Sequence, residues 1–230
     1  MKDLTPPLLW RLARAAKTAT MRVWSTDVSQ RVRSDGGHQE LDIYWDPKMA
    51  ELLETWGEGN AWHEIRLLLT GRQGKVLDIA CGTGKVMSIV QAGTGLEVHG
   101  CDISDLMISK ALERGLSAAT LRVCDATQMP YEDGFFDFGY SIGSLEHFTE
   151  AGIDQVFHGC NRVVSGMSFH MVPVSRSGSD EGWIAPHQAY FNNSVSWWTE
   201  MAHRTFSHVD VVDSTWSDNR SLGKWLVCAR

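Results

Sequence analysis

Residues 76–86 read VLDIACGTGKV: an apolar run, one acid, then two glycines with a threonine between them. A strand that ends in a glycine turn and enters a helix begins many nucleotide-binding α/β folds, so the spacing decides which ligand chemistry fits. A phosphate-binding GxxxxGK[ST] loop needs a glycine five residues before Gly84 and a hydroxyl after Lys85. Ile79 and Val86 stand at those places. A dinucleotide GxGxxG loop needs a third glycine, and that place is taken by Met87. The loop therefore lets backbone pass close beneath a ligand without the marks of a phosphate site.

Two further acids extend the reading. Asp78 lies within the first run, where it can receive a cationic amine or order the loop's own amides. Asp102 closes the next apolar run, EVHGCD, and Asp125 closes LRVCD. Three acids at the carboxyl ends of three successive strands line one crevice. They suit a ligand with an amine, a ribose and an adenine, and no phosphate; taken singly, each could also be a helix N-cap.

Apolar runs at 75–80, 96–101, 119–124, 135–142 and 166–172 alternate with helical patterns near 84–93, 104–114, 153–163 and 194–204. That alternation predicts parallel strands joined by helical crossovers. The chain then changes habit: residues 207–216 and 223–230 are two strands separated only by a turn, so they pair antiparallel. Before the first strand, residues 47–69 read as two helices broken at Gly57 and Gly59.

VLDIACGTGKV, CDIS, VCDATQMPYEDGFFD and SIGSLEHF, in this order and spacing, resemble the successive motifs of class I S-adenosylmethionine-dependent methyltransferases. The resemblance covers roughly residues 70–172. It implies a Rossmann-like α/β fold: a seven-stranded, mostly parallel sheet of order 3-2-1-4-5-7-6, with a C-terminal antiparallel hairpin and helices on both faces. It also implies S-adenosylmethionine as cofactor, converted to S-adenosylhomocysteine. Asp78, Ala80, Cys81, Gly82 and Gly84 would meet the methionyl part, Asp102 and Ile103 the ribose and adenine border, and Asp125 and Ala126 the adenine edge. Ser141 would lie under the sulfonium. The expected organisation is a basic amphipathic extension over residues 1–45 and a methyltransferase domain over 46–230, with an acceptor-side insertion at 173–193.

Methyl transfer from a sulfonium is an in-line displacement, and a hydroxyl acceptor also needs a base. His187, between Trp183 and Tyr190 in the insertion, is the first candidate; His147, directly after the fourth strand, is the second. His170, inside the fifth strand, reads as a core residue. Ubiquinone-type O-methyltransferases carry extra acids beside the position of His147; here only Glu146 and His147 remain, so no metal is expected. Trp183, Trp197 and Trp198 fall near the expected acceptor side, and Tyr44 or Trp45 could close over the donor. Flat aromatic faces suit sugars, quinones and other amphipathic acceptors, although aromatics at helical spacing are also core residues.

The expected reaction is O-methylation of a small-molecule or glycan hydroxyl, lipid-linked or in polysaccharide biosynthesis. N- or carboxyl-methylation, or a non-catalytic donor-binding module, stay open. Residues 1–33 hold seven cations and two anions within a chain of net charge −7, leaving −12 for the remainder. That balance argues against a nucleic-acid partner. Leu8, Leu9, Leu12, Ala15, Ala16, Ala19 and Val23 share one helical face over residues 6–24, with the cations off it. Such a helix packs on protein or rests on an anionic membrane surface, and both readings stand. Five singly placed cysteines, no membrane-length apolar run and a leader cut by arginines predict a cytoplasmic protein, peripheral to membrane at most. The oligomeric state is not readable.

Overall fold

The computed structural model describes residues 39, 41–57, 61–184 and 188–230. The leader helix at 6–24, Gly59 and His187 lie outside the described residues. A short 3₁₀ turn at Asp42–Trp45 leads into α1 (Pro47–Leu52) and α2 (Ala61–Leu68). Then β1 (Lys75–Ile79), α3 (Lys85–Gly93), β2 (Glu97–Asp102), α4 (Asp105–Glu113), β3 (Leu121–Val123) and β4 (Phe136–Ile142) alternate. They are followed by α5 (Glu150–Val163), β5 (Val164–Ser175), a small hairpin of β6 (Trp183–Ile184) and β7 (Tyr190–Phe191), α6 (Val195–His203), β8 (His208–Ser217) and β9 (Ser221–Ala229).

The main sheet runs β3-β2-β1-β4-β5-β9-β8. With the small hairpin set aside, this is the expected 3-2-1-4-5-7-6 order. β1 lies parallel to β2 on one side and to β4 on the other. The chain thus reverses its direction of growth beside β1, and a crevice opens there beyond the strands' carboxyl ends. β9 is antiparallel to both β5 and β8.

The central strands are apolar throughout because both sheet faces are covered. On one face α5 and α6 pack Ile153, Val156, Phe157, Trp198 and Met201 against Leu77, Ile79 and Phe136. On the other, α2, α3 and α4 pack Ile65, Leu69, Met87, Val90 and Ile108 against Val76, Val98 and Tyr140. Side-chain caps start four of the helices: Asp46 on α1, Ser104 on α4, Thr149 on α5 and Ser194 on α6.

Met87 explains the missing third glycine. A Cβ at Gly100 on β2 would lie 2.4 Å from the Met87 sulfur, so the space for close helix–strand packing is made on the strand. Glu64 fixes α2 to the C-terminal hairpin: its carboxylate accepts hydrogen bonds from Ser214 Oγ, the Thr215 amide and hydroxyl, and Trp225 Nε1, all at 2.6–2.7 Å.

The described residues of the 173–193 segment carry regular structure. β5 continues to Ser175, paired residue by residue with β9 as far as Ser221, and the β6–β7 hairpin follows. Trp197 and Trp198 correct the acceptor-side expectation for these rings: Trp198 is fully buried and donates to the Pro173 carbonyl, and Trp197 lies against Phe191. All five cysteines are free and buried. Among the described residues no helix is long and apolar enough to cross a membrane.

Candidate functional site

One cavity, enclosing about 1120 Å³ with its mouth, opens at the carboxyl ends of β1, β2, β3 and β4. Its floor is built from the glycine loop. Ala80 has a φ of 58° and is the one non-glycine residue among those described in the left-handed region. Such strain persists where the surroundings enforce it and commonly marks a functional site. Gly82 (φ 52°) and Gly84 (φ 72°) complete the turn, and a Cβ at Gly84 would lie 2.4 Å from Leu116 Cδ1. The positive φ and this close approach both favour glycine there.

The three strand-end acids converge. Asp102 holds the loop in place: Oδ2 accepts from the Gly82 amide at 2.9 Å and Oδ1 from the Ser104 amide at 2.9 Å. Each oxygen keeps a lone pair for a further donor. Asp125 Oδ1 accepts from the Thr127 amide at 2.8 Å, and its Oδ2 is buried without a partner. This acid therefore serves both readings, a cap through one oxygen and an open acceptor through the other. Asp78 Oδ2 is likewise buried and unpartnered.

Burial pushes Asp78 well above the ordinary carboxylate range; the nearby Tyr140 hydroxyl pulls the other way, and the neighbouring charge of Asp102 adds to the rise. Burial raises Asp102 to about 6, with the Ser104 and Gly82 amides pulling the other way. Two buried acids with open oxygens and depressed acidity await hydrogen-bond donors or a cation.

Ala80, Cys81, Gly82, Ile103 and Ala126 also line this cavity, as do Asp78, Asp102 and Asp125. Gly84 lies in the loop beneath it. Ser141 is turned away: fully buried, its Oγ meets His170 Nδ1 at 2.9 Å on the α5–α6 side of the sheet. Ile142, Gly143 and Ser144 take the end of β4 instead. His170 is a core residue, held by Ser141 and Ser168, and burial lowers its pKa to about 3.

His147 does not line the cavity. Its Nδ1 donates to the Ala189 carbonyl at 2.8 Å, pinning the segment that carries the β6–β7 hairpin. Glu146 beside it is buried, with Oε2 unpartnered, and burial raises it to about 8, so it is protonated at neutral pH. The sequence drew attention to it only as a metal ligand. Among the described residues no three His, Cys, Asp or Glu side chains group to hold a metal ion.

The outer wall is aromatic. Tyr44, Leu53, Trp56, Trp62 and Phe148 line it. Trp56 and Trp62 meet edge-on with centroids 5.9 Å apart. Residues 41–57 are tied across the mouth: Ser104 Oγ donates to the Tyr44 carbonyl at 2.6 Å, and Gln188 Nε2 to the Tyr44 hydroxyl at 2.9 Å. Trp45 does not line the cavity; half-buried, it donates to Asp105 Oδ1. Tyr44 is therefore the ring over the cavity. Trp183 packs on Phe191 rather than lining it.

Residues 76–166 match the family described as "Methyltransferase domain". The O-methyltransferase cnsE of Penicillium expansum is 30% identical over 153 residues, which cover 61% of this chain and 55% of that protein. A human protein named "Probable tRNA methyltransferase 9B" is 33% identical over 96 residues, covering 40% of this chain and 19% of its own length. The chain thus spans about half or less of these relatives. Among solved structures, the phosphoethanolamine N-methyltransferase 2 of Haemonchus contortus in complex with S-adenosyl-L-methionine superposes with a TM-score of 0.59. It is 19% identical and covers 74% of this chain and 53% of that one, a likeness of fold.

Proposed function

Because this chain belongs to the class I S-adenosylmethionine-dependent methyltransferases, we propose that it transfers the donor's methyl group to a hydroxyl of a small molecule or glycan. The observation that carries the reading is the pair of buried, unpartnered carboxylate oxygens of Asp78 and Asp125 in one cavity with Asp102. S-adenosylmethionine carries an ammonium, a ribose diol and an adenine amine that match this acceptor set, and no phosphate.

When bound, S-adenosylmethionine supplies an electrophilic methyl on a sulfonium. The chain's own residues bind and orient. Asp125 Oδ2 would accept from the adenine amine, Asp102 would accept from the ribose while tethering Gly82, and Asp78 would meet the ammonium. Ile103 and Ala126 border the adenine. Tyr44, Trp56 and Trp62 exclude water and offer flat faces to an amphipathic acceptor. His187 takes the acceptor's proton, and His147 holds the neighbouring Ala189 carbonyl that fixes the hairpin.

The O-methyltransferase relative supports a hydroxyl acceptor, and the net charge of −7 favours a small molecule or glycan over RNA. The tRNA methyltransferase relative makes nucleic acid the competing reading, although it matches over only 40% of this chain. The leader at 6–24 would bring the enzyme to an anionic membrane surface or a partner. The test is transfer of labelled methyl from S-adenosylmethionine to separated small-molecule, glycan and RNA fractions of a cell extract. Label in the small-molecule or glycan fraction is expected. Label confined to RNA would overturn the acceptor class, and binding without any transfer would leave a donor-binding module.

A further inference from the structure

The wall segment, residues 42–57, is held at both ends of α4. At the start of that helix Ser104 Oγ donates to the Tyr44 carbonyl, and Asp105 Oδ1 accepts from Trp45 Nε1 at 3.0 Å. At its other end stands Arg114, whose guanidinium ion-pairs with Glu54. Glu54 adjoins Leu53 and lies two residues before Trp56, both of which line the cavity. Trp56 in turn covers the end of β4, where a Cβ at Gly143 would lie 2.8 Å from its Cη2. The same guanidinium also reaches the floor: Arg114 Nε donates to the Thr83 carbonyl at 3.0 Å. Thr83, between Gly82 and Gly84, is buried and lines the cavity.

A turn with glycine on either side has little conformational preference of its own, so whatever holds the Thr83 carbonyl helps to set its shape. A planar guanidinium fixes the direction of both its bonds at once, and here one goes to the floor and one to the wall. The ion pair by itself adds little stability, because the Arg114 and Glu54 side chains are 24% and 35% exposed and water screens them. Arg114 does not line the cavity. We infer that Arg114 is a positioning residue of the donor site: it couples the seating of the wall to the shape of the glycine turn, so that a donor bound on the turn draws residues 42–57 closed above it. Such coupling is reciprocal. The seated wall favours the binding-competent turn by the same factor by which bound donor favours the seated wall. The inference rests on the donor reading above and gives Arg114 no contact with the donor.

The experiment joins hydrogen exchange, read by mass spectrometry with and without saturating S-adenosylhomocysteine, to calorimetric affinities for the same ligand. The chains compared are wild type, Arg114→Met, Glu54→Ala and the double variant. In wild type the ligand should slow exchange about tenfold both in the turn and in residues 42–57. In saturated Arg114→Met the turn should stay protected while residues 42–57 exchange as they do without ligand. A role in stability alone would not separate the two segments. Each single variant should bind about tenfold more weakly than wild type, and the double variant no more weakly than the weaker single one. Glu54→Ala, which leaves Arg114 on Thr83, carries the exchange test if Arg114→Met does not fold. Wall protection that persists in the saturated single variants overturns the inference, as does a wild-type wall that the ligand leaves unprotected. Losses of affinity that add in the double variant also overturn it. If the wild-type chain does not bind S-adenosylhomocysteine, the donor reading itself fails.

Discussion

Lowering the pH should weaken donor binding, and the size of the effect follows from the buried acids. Asp102, raised to about 6 by burial, must be ionised to accept from a ribose diol with both oxygens already serving backbone amides. Asp78, pushed well above the ordinary range, must be ionised to meet an ammonium. A ligand that binds only the ionised form drives a proton off, so affinity rises with pH and levels above the free protein's pKa. For Asp102 alone, about nine-tenths of the protein is protonated one unit below its pKa, so affinity at pH 5 should fall about tenfold from its plateau. That is about 1.4 kcal/mol. Asp78 adds a second proton and extends the fall upward. Calorimetry with S-adenosylhomocysteine at pH 5, 6, 7 and 8, in buffers of different ionisation enthalpy, reads both the slope and the protons released. An affinity flat across this range, with no proton release, would refute the reasoning.

Other substitutions probe separate parts of the account. Gly84→Ala should cost about 2–4 kcal/mol in urea unfolding, since it sets a Cβ into Leu116 at a positive φ; a loss below 0.5 kcal/mol would contradict the packing. Glu64→Ala removes the acceptor of four hydrogen bonds and should destabilise the fold by about 1–3 kcal/mol. Despite the cost of its burial, bonds from Thr215, Trp225 and Ser214 hold Glu64 below the usual carboxylate range. Its contribution is therefore present above the unfolded-state pKa and lost as pH falls through the folded one. A stability difference between wild type and Glu64→Ala that grew on acidification would contradict this. His187→Ala should lower turnover about 10²–10⁴-fold with donor affinity unchanged; an unaltered rate removes His187 from the role.

What was readable in the sequence was what periodicity and strand-end chemistry encode. Alternating runs specified parallel strands, the uninterrupted pair at the C-terminus specified the antiparallel hairpin, and Asp78, Asp102 and Asp125 fell at one edge because each lies at or just beyond the carboxyl end of a strand. Unreadable features depend on contacts between distant residues. Gly100 makes room for Met87 across a helix–strand interface, and no local pattern marks that pairing. Ser141 ends a strand on the right sheet edge, but strand alternation turns its hydroxyl to His170. Glu64 is an ordinary helical acid until β8 and β9 bring Ser214, Thr215 and Trp225 to it. Trp197 and Trp198 share a helix with no sign in the sequence of which wall they face; the core claims them.

The central claim is a site for an adenosine amino acid without phosphate. Its most direct test is calorimetric titration of the wild-type chain at pH 8 with S-adenosylhomocysteine and, separately, with NAD. The account predicts saturable one-to-one binding of S-adenosylhomocysteine and no measurable binding of NAD, whose pyrophosphate would meet three strand-end acids and a loop lacking its third glycine. No heat from S-adenosylhomocysteine, or NAD binding as tightly, would contradict it.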